Sequence, residues 1–318
     1  MPTAPRSPHR PGAARRPASS ITWQHAAWLL LVAAAPAAAA DAAATAAEPP
    51  TSASEAGDDA EEWGRQPPPL WTVGLFGVAA DHAVYPGAAR RARNATVLPF
   101  VTYRGPVLRL EGGTAGVRAL RRPRAELDFS AAAAFGSDGV DKGARAGMPA
   151  IGTLVEIGPS LRVNLGPLPE DGRPTPWRLD LPLRFVFDAD RDFEPAGVSF
   201  EPRVSYRLAP VMGWTPSVHA GLLFGSQRLN SLFYEVAPEY ATPTRPAYEA
   251  QGGLVASRVG TSWSRLLLPS LRLGLHASVE SVRGAANEDS PVVGRSVDPT
   301  FAVTLTWTAW RSEEAGVR

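Results

Sequence analysis

The feature that most constrains the fold is a strict alternation of apolar and polar side chains that recurs in many short segments. Within residues 197–209 one face carries Val198, Phe200, Pro202, Val204, Tyr206 and Leu208, and the other carries Ser199, Glu201, Arg203, Ser205 and Arg207. A period of two indicates a β-strand, because successive side chains point to opposite faces of a sheet. The polar face carries full charges, which is typical of a strand between lipid and a wet interior.

Twelve segments show strand character of this kind. They cover residues 70–80, 96–103, 107–111, 115–120, 125–135, 153–165, 176–188, 197–209, 214–225, 247–267, 271–282 and 298–310. We therefore expect an all-β protein, a single antiparallel transmembrane β-barrel of about 12 strands, with 10 or 14 strands as alternatives.

The connections between these segments alternate in length. The odd-numbered connections cover 81–95, 112–114, 136–152, 189–196, 226–246 and 283–297, and five of these six are long. The even-numbered connections cover 104–106, 121–124, 166–175, 210–213 and 268–270, and four of these five are short. Outer-membrane barrels have short periplasmic turns and longer outer loops, so the pattern predicts an even strand count with both barrel termini on the periplasmic side.

The segments outside the barrel have their own signatures. Residues 1–40 combine four arginines, no acidic residue before position 41, and an apolar run that ends in three alanines, which predicts a cleaved signal peptide. Residues 41–69 are rich in Ala, Pro, Asp and Glu and are expected to form a flexible acidic periplasmic tail. The barrel is expected over 70–310, with a polar C-terminal tail at 311–318. The predicted location is the cell outer membrane of a Gram-negative bacterium.

Composition excludes several kinds of site. The chain has no Cys, which rules out disulfides and thiolate metal sites, and its formal net charge of +1 argues against nucleic acid as a partner. Asp188, Asp190 and Asp192 alternate in a predicted outer loop, but the Gly turn and distant Glu of a calcium-binding loop are missing. We expect no metal and no cofactor.

Aromatic and proline residues carry positional information. Aromatic side chains mark the predicted strand ends, as in an interfacial girdle: Trp71, Tyr103, Trp177, Tyr206, Trp214, Trp263, Trp307 and Trp310. Pro99, Pro182 and Pro202 lie within predicted strands and are expected at bulges or near the rims, because proline cannot donate to the ladder.

The polar faces of the strands define a predicted lumen surface. Its members by parity are Glu156, Arg162, Asp180, Arg184, Glu201, Arg203, Arg207, Arg272, His276 and Glu280. Mixed signs at matched depth predict cross-strand ion pairs that fill the interior. A restricted channel is the alternative, because about twelve strands lie between filled eight-stranded barrels and open porins.

An enzymatic site is the least supported interpretation. His82, His219 and His276, with Asp289 and Ser290, provide the residue types of a Ser-His-Asp arrangement. Nucleophile and base must lie within hydrogen-bond reach, and nothing in the sequence requires that here. We expect a protein that is not an enzyme, with an outer-membrane hydrolase as a remaining alternative.

Five short motifs follow one another in a recognisable order. They are Trp71-Thr-Val-Gly-Leu75, Tyr85-Pro-Gly87, Leu98-Pro-Phe-Val-Thr-Tyr103-Arg-Gly105, Tyr248-Glu-Ala-Gln-Gly252-Gly253 and Asp289-Ser-Pro-Val-Val293. Their order and spacing resemble the MipA/OmpV family of Gram-negative outer-membrane proteins, over residues 70–310. The family-like motif residues are Tyr85, Gly87, Pro99, Tyr103, Gly105, Tyr248, Gly252, Ser290 and Pro291. The polar residues after Trp310 depart from the aromatic C-terminus usual in barrels.

The resemblance implies a small outer-membrane barrel without assigned catalytic residues. One family member is described as a scaffold that links a lytic transglycosylase to a murein synthase. We therefore expect a non-enzymatic scaffold whose partners are outer-membrane lipid and periplasmic murein hydrolase or synthase proteins, with a narrow porin as the alternative. The acidic tail and the turn at 166–175 are the expected periplasmic contact surfaces.

Overall fold

The computed structural model describes residues 69–104, 108–111, 114–122, 124–134, 143–166 and 175–316. Its thirteen strands are β1 (Trp71–Ala83), β2 (Arg91–Arg104), β3 (Leu108–Glu111), β4 (Thr114–Arg122), β5 (Ala125–Ala134), β6 (Leu154–Leu165), β7 (Trp177–Asp188), β8 (Glu194–Phe200), β9 (Arg203–Arg207), β10 (Thr215–Gly225), β11 (Gly253–Leu268), β12 (Leu271–Ser281) and β13 (Val297–Arg311). One α-helix, α1 (Gln227–Tyr234), and two short 3-10 helices, Ala189–Arg191 and Pro238–Tyr240, lie between strands.

The strands form one antiparallel sheet that closes on itself. Apart from β8 and β9, consecutive strands pair with each other, and β1 pairs with β13 to complete the circle. Both β8 and β9 pair with β7 on one side and with β10 on the other, so they share one position in the wall. The thirteen strands therefore occupy twelve positions, which agrees with the expected all-β barrel.

A proline explains why one predicted strand is divided. The segment predicted over 197–209 is interrupted at Glu201 and Pro202, between β8 and β9. Pro202 has no N–H to give to a ladder, while its carbonyl accepts the N–H of Leu222 on β10 at 3.1 Å. The chain thus stays attached to the wall through the break. Pro99, by contrast, lies inside a paired segment opposite Leu75, so the expected rim or bulge position is wrong for Pro99. Pro182 lies opposite Ser160, at the point where β7 changes partner from β9 to β8.

The boundaries differ from the predicted ones in three places. β1 continues to Ala83 and β2 begins at Arg91, so the predicted connection 81–95 shortens to 84–90 and His82 lies on a strand. The strand predicted from residue 247 begins at Gly253. The predicted outer loop at 226–246 contains helix α1 and a 3-10 helix. The side chains at these strand ends have mixed polarity. The sequence pattern therefore did not predict the true ends of the strands.

The two ends of the barrel differ in how the strands are joined. The connections after β1, β3, β5, β7, β10 and β12 leave the sheet at one end, which we call the loop end, and the longest are 135–153, 226–252 and 282–296. The connections after β2, β4, β6, β9 and β11 lie at the opposite end, the turn end, and the longest is 166–176. Residues 69–70 and 312–316 also lie at the turn end, where Leu70 N donates to Glu314 O at 2.7 Å.

The outward face is an apolar band. On β7 every outward side chain is apolar: Trp177, Leu179, Leu181, Leu183, Phe185 and Phe187. Ten residue steps span about 33 Å along a strand, which at the usual tilt of about 40° is about 25 Å of height. That is the height of the lipid-facing band of outer-membrane barrels.

Most of the predicted aromatic positions gather at the turn end of this band, whereas Trp263 lies inside β11 opposite Leu275. Trp71 lies against Tyr103 with ring centroids 4.4 Å apart, and Trp177 lies against Tyr206 at 4.5 Å. Trp214 packs under the guanidinium of Arg265. These aromatic side chains lie on the outward face at or next to the ends of strands. They therefore form an aromatic girdle at one interface.

Several predicted features lie outside the described residues. These are the signal peptide at 1–40, the acidic tail up to residue 68, Gly105, and most of the 166–175 turn. In the part of the chain that is described, no helix is long and apolar enough to cross a membrane.

Candidate functional site

The inner wall carries one continuous row of ladder partners that is dominated by charge. Following the register from β5 to β13, the partners are Glu126, Arg162, Asp180, Arg203, Gly221, Arg258, Glu280 and Asp298. We call these residues the charge row. The row begins near the turn end on β5 and reaches the loop end on β13, because register positions climb a closed, tilted sheet.

Ion pairs bind the charge row together. Asp180 accepts hydrogen bonds from Arg162 at 3.4 Å and from Arg178 at 3.0 Å. Arg258 donates to Glu280 at 2.6 Å and to Glu201 at 2.9 Å. These side chains are mostly buried, so each pair is screened less than a surface pair and fixes the relative position of neighbouring strands.

The wall on the turn side of the charge row has a different composition. Its inward positions on β6, β7, β9–β13, β1 and β2 include Arg178, Arg207 and Arg272 and no carboxylate. Ser217, Ser262 and several Thr residues supply most of the remaining polar groups there. We call this region the turn-side lumen. Its described part therefore carries a net positive charge, whereas the charge row has three arginines and four carboxylates.

Inward glycines allow long side chains to lie flat against the wall. A Cβ on Gly260 would lie 2.6 Å from the His219 ring, and one on Gly221 would lie 3.4 Å from Arg203 Cβ. His276 covers Gly274 in the same way, at 3.0 Å from its Nε2. The arrangement keeps bulky rings and guanidinium stems along the strands instead of across the lumen.

The predicted lumen residues can be placed one by one. Arg162, Asp180, Arg203 and Glu280 belong to the charge row, while Arg207, Arg272 and His276 lie in the turn-side lumen. Glu156, Arg184 and Glu201 lie on the loop side of the row, where Arg184 Nη1 donates to Gly158 O at 2.9 Å and Glu201 joins the Arg258 cluster. The list of lumen residues predicted from the alternation omits Arg178 and Arg258. Both follow the same alternation and could have been predicted from it.

A second organised region fills the loop end. Tyr85, Met148, Tyr234, Val282 and Val292 come from four different connections and share one buried apolar cluster. Helix α1 belongs to this cluster and also packs through Leu229 on Leu154, Val186 and Ala196 of the wall. We call the cluster the loop cap. The loops at this end thus have a core of their own.

The motif residues of three separate segments meet in the loop cap. Tyr85 Oη donates to Val292 O at 2.8 Å, and Ser290 Oγ donates to Tyr234 O at 2.7 Å. Asn287 Oδ1 accepts the Gln251 N–H at 2.8 Å, beside Tyr248, whose Oη lies 3.4 Å from the same oxygen. Gly87 has φ 84° and its carbonyl accepts the N–H groups of Gly294 and Arg295.

The remaining motif residues have local roles. Gly252 lies against the first turn of α1, where an added Cβ would be 2.8 Å from Gln227 N. Pro291 follows Ser290 in the 282–296 connection. Tyr103 belongs to the aromatic girdle and Pro99 lies on the outward face of β2. The motif residues therefore pack the loops together or lie at the membrane interface, and they do not form a catalytic cluster.

Burial governs the titration of the loop-cap tyrosines. Burial raises the pKa of Tyr85, and the nearby Arg145 cation partly offsets the rise. Burial also raises the pKa of Tyr234, with a smaller contribution from Glu280. Both phenols therefore stay protonated as hydrogen-bond donors, Tyr85 to Val292 O and Tyr234 to Pro86 O at 3.0 Å.

The residue types of a hydrolytic triad have other partners. Ser290 is buried and bonded to Tyr234 O, while His82 Nδ1 lies 2.7 Å from Ala83 O. His219 and His276 lie on β10 and β12, which β11 separates. The arrangement that the sequence left open is therefore not assembled from these described residues.

The acidic loop after β7 caps backbone groups. Asp188 Oδ1 accepts the Asp190 N–H at 3.0 Å, and Asp190 Oδ2 accepts the Thr153 N–H at 2.7 Å. Among the described residues there is no cluster of three or more potential metal ligands.

Comparisons with known proteins place the chain in a family. Three solved structures resemble it weakly. The NanC porin has 7% identity and a TM-score of 0.39, covering 73% of this chain and 98% of the porin. A bacterial polysaccharide outer membrane secretin has 11% identity and a TM-score of 0.35, covering 75% and 99%. The Pseudomonas putida toluene transporter TodX has 8% identity and a TM-score of 0.34, covering 85% and 96%.

These three structural likenesses are too distant to say anything about activity. A comparison with the curated proteins found no match. A protein-family model gives the informative result: the model described as MltA-interacting protein MipA matches residues 73–309, which is nearly the whole barrel. The chain therefore belongs to the MipA family.

Proposed function

We propose that this protein is an outer-membrane β-barrel that acts as a non-enzymatic scaffold for a periplasmic murein enzyme of the MltA type. The family match over residues 73–309 carries the proposal, because the family is described by its interaction with MltA. The barrel supports it with a membrane-facing surface and with a turn end that suits a periplasmic contact.

The outward apolar band supports the membrane location. Val97, Val259 and Phe301 are each more than half exposed on the outer face, and many other large apolar side chains share it. A soluble protein rarely exposes a continuous apolar surface of this extent, whereas a lipid-embedded barrel requires one. The short turns then face the periplasm and the longer loops face outward.

One turn-end hairpin supports a protein contact. Val211 and Trp214 pair through both backbone hydrogen bonds at 2.9 Å, and the two residues between them have φ of 52° for Met212 and 80° for Gly213. Positive φ at both positions is the geometry of a type I′ turn, which favours Asn or Gly and strains Met. Met212 is 89% exposed, so a strained apolar side chain is presented at the tip. Strain at an exposed apolar tip is the kind of feature that binding sites retain.

Heat-modifiable migration tests the membrane barrel. The detergent-extracted mature protein is expected to migrate differently on a gel before and after boiling, and to precipitate when detergent is removed. A monodisperse protein in detergent-free buffer contradicts the membrane location.

Retention of purified MltA on the immobilised barrel tests the scaffold. We expect specific retention, and we expect Met212→Asn to reduce it while leaving the barrel at least as stable, because Asn tolerates positive φ. Ser270→Asn, in the turn between β11 and β12, is the matched control and should retain MltA fully. Absence of retention by the unmodified barrel removes the scaffold proposal. The acidic tail and the 166–175 turn remain predicted contact surfaces and can be deleted in the same assay.

A further inference from the structure

We propose that the turn-side lumen is an anion-selective vestibule, which admits small organic and inorganic anions and excludes cations of the same size. The inference rests on the barrel of the proposed function and is independent of the scaffold. The ligand class follows from the charge, the hydroxyl groups and the small side chains of this part of the wall.

Charge separates the two parts of the inner wall. The charge row contains three arginines and four carboxylates, so its formal charge is 3 − 4 = −1: Arg162, Arg203 and Arg258 with Glu126, Asp180, Glu280 and Asp298. The turn-side lumen contains Arg178, Arg207 and Arg272 and no carboxylate on its described strands. An anion that enters from the turn end therefore meets a positive surface before it reaches the charge row.

Two arginines of β9 have no carboxylate of their own on the described strands, Arg203 in the charge row and Arg207 in the turn-side lumen. Within the described residues Arg203 and Arg207 form no ion pair, although Asp180 is the ladder partner of Arg203. Arg162 and Arg178 already occupy both oxygens of that carboxylate. The strand thus carries two guanidinium groups, four residues apart, whose charge is available to a ligand.

The wall beside these arginines is lined by small groups that can donate hydrogen bonds. Ser217 is the ladder partner of Arg207 and lies 2.6 Å from Ser262 through the hydroxyl oxygens. Gly260 and Gly274 have no side chain, and the imidazoles over them lie along the wall. Guanidinium and hydroxyl donors on one surface provide charge-assisted hydrogen bonds for phosphate, sulfate or carboxylate oxygens.

The expected size of the effect follows from electrostatic focusing. A cleft lined with one sign of charge and enclosed by low-dielectric walls raises the local concentration of counter-ions about tenfold or more. Screening at 1 M salt shortens the Debye length from about 8 Å to about 3 Å, so the preference should shrink as salt rises.

The absence of Cys in the chain makes a direct test possible. Ser217→Cys places a single thiol beside Arg207, and this thiol is treated with methanethiosulfonate reagents that carry either a sulfonate or a trimethylammonium group. Each rate is divided by the rate of the same reagent with a free small thiol. We expect the normalised ratio of anionic to cationic rate to be about ten at low salt and to fall toward one in 1 M salt.

Charge variants in the same Cys background provide the control. Arg207→Gln and Arg203→Gln should each lower the ratio about two- to fivefold, because each removes one nearby charge. Arg265→Gln changes the net charge equally but lies on the outward face against Trp214, so it should leave the ratio unchanged. Heat-modifiable migration confirms that each variant is folded.

Three results overturn the vestibule. The first is a normalised ratio near one in the Ser217→Cys variant with all its arginines present. The second is a ratio that Arg207→Gln and Arg265→Gln lower equally. The third is a thiol that reacts with neither reagent until the barrel is unfolded. MltA retention measured on the same samples reports on the scaffold separately, so failure of one proposal does not hide the outcome of the other.

Discussion

Arg258 on β11 donates a hydrogen bond of 2.6 Å to Glu280 on β12, and the same guanidinium reaches Glu201, beyond β10, at 2.9 Å. Gly221 on β10 is the ladder partner of Arg258 and leaves room for this reach. One side chain on β11 thereby joins β12 to the segment between β8 and β9 and passes across β10. The barrel interior is held by ion pairs where a soluble protein would use an apolar core.

Removal of this cation should destabilise the barrel. Arg258→Ala leaves the Glu201 and Glu280 carboxylates mostly buried without their shared partner, and we expect a loss of about 2 kcal/mol in the free energy of unfolding. The measurement is the urea midpoint of the transition between the folded and boiled gel forms. Arg228→Ala is the control, because its pair with Glu194 is more than half exposed on both sides and should contribute less than about 1 kcal/mol. Equal midpoints for both variants contradict the structural role of the charge row.

The contact between His219 and Gly260 predicts a pair of compensating substitutions. Gly260→Ala introduces a Cβ 2.6 Å from the imidazole and should cost about 1–3 kcal/mol, because the wall has no space for it. Combination with His219→Ser should recover only the part of that loss that comes from the imidazole, because the new Cβ would still lie 2.8 Å from Ser278 Cβ. Gly77→Ala is the control, since its new Cβ would be 3.7 Å from the nearest atom. An additive double variant would show that the ring does not cover the glycine.

Helix α1 depends on one hydroxyl at its start. Ser226 Oγ accepts the N–H of Leu229 at 3.4 Å and the N–H of Val198 on β8 at 3.0 Å. Ser226→Ala should therefore weaken the helix and its docking by about 1 kcal/mol. We expect faster proteolysis within 226–252 while the barrel keeps its gel mobility. Ser226→Asp retains an acceptor and should behave close to the original protein.

High pH should loosen the loop cap before it affects the barrel wall. Because burial raises the pKa of Tyr85 and Tyr234, both residues stay protonated in the folded cap above pH 10, where an exposed tyrosine ionises. The unfolded cap then binds fewer protons than the folded one, so its stability is fully present below about pH 10 and falls as the pH rises further. Proteolysis of the loops as a function of pH measures the loss. Tyr85→Phe with Tyr234→Phe should flatten the dependence, and an unchanged profile would show that other groups control it.

The alternation of side chains was sufficient to predict the strands but insufficient to predict their register. The alternation predicts that Asp180 and Arg203 point to the same face of the sheet. Whether they are ladder partners depends on the register, which the turn lengths and the break at Pro202 determine. The charge row is a property of register around a closed sheet, and a single strand carries no information about it.

The loop cap was missed for a different reason. Residues 227–234 are one short amphipathic stretch inside the predicted outer loop, although Ser226 is a typical N-cap and Leu229, Leu232 and Phe233 have helical spacing. Isolated helices of this length are marginal, so the helix depends on packing against the wall and the other loops. That packing joins segments separated by more than two hundred residues, such as Tyr85 and Val292.

Neighbouring positions on β12 separate the lipid-facing surface from the lumen. Leu275 lies near the middle of the strand and points outward beside Trp263 and Val303, whereas His276 points inward, with Nε2 3.3 Å from Thr304 Oγ1. Leu275→Arg should cost about 2–4 kcal/mol when the barrel folds into lipid vesicles, because its charge would lie at the membrane midplane. His276→Arg places the same group in a polar lumen and should cost less than about 1 kcal/mol. Urea titrations of both variants in vesicles measure the difference. Similar costs at the two positions would mean that the outward face of β12 is not in contact with hydrocarbon, and the membrane location would then have to be abandoned.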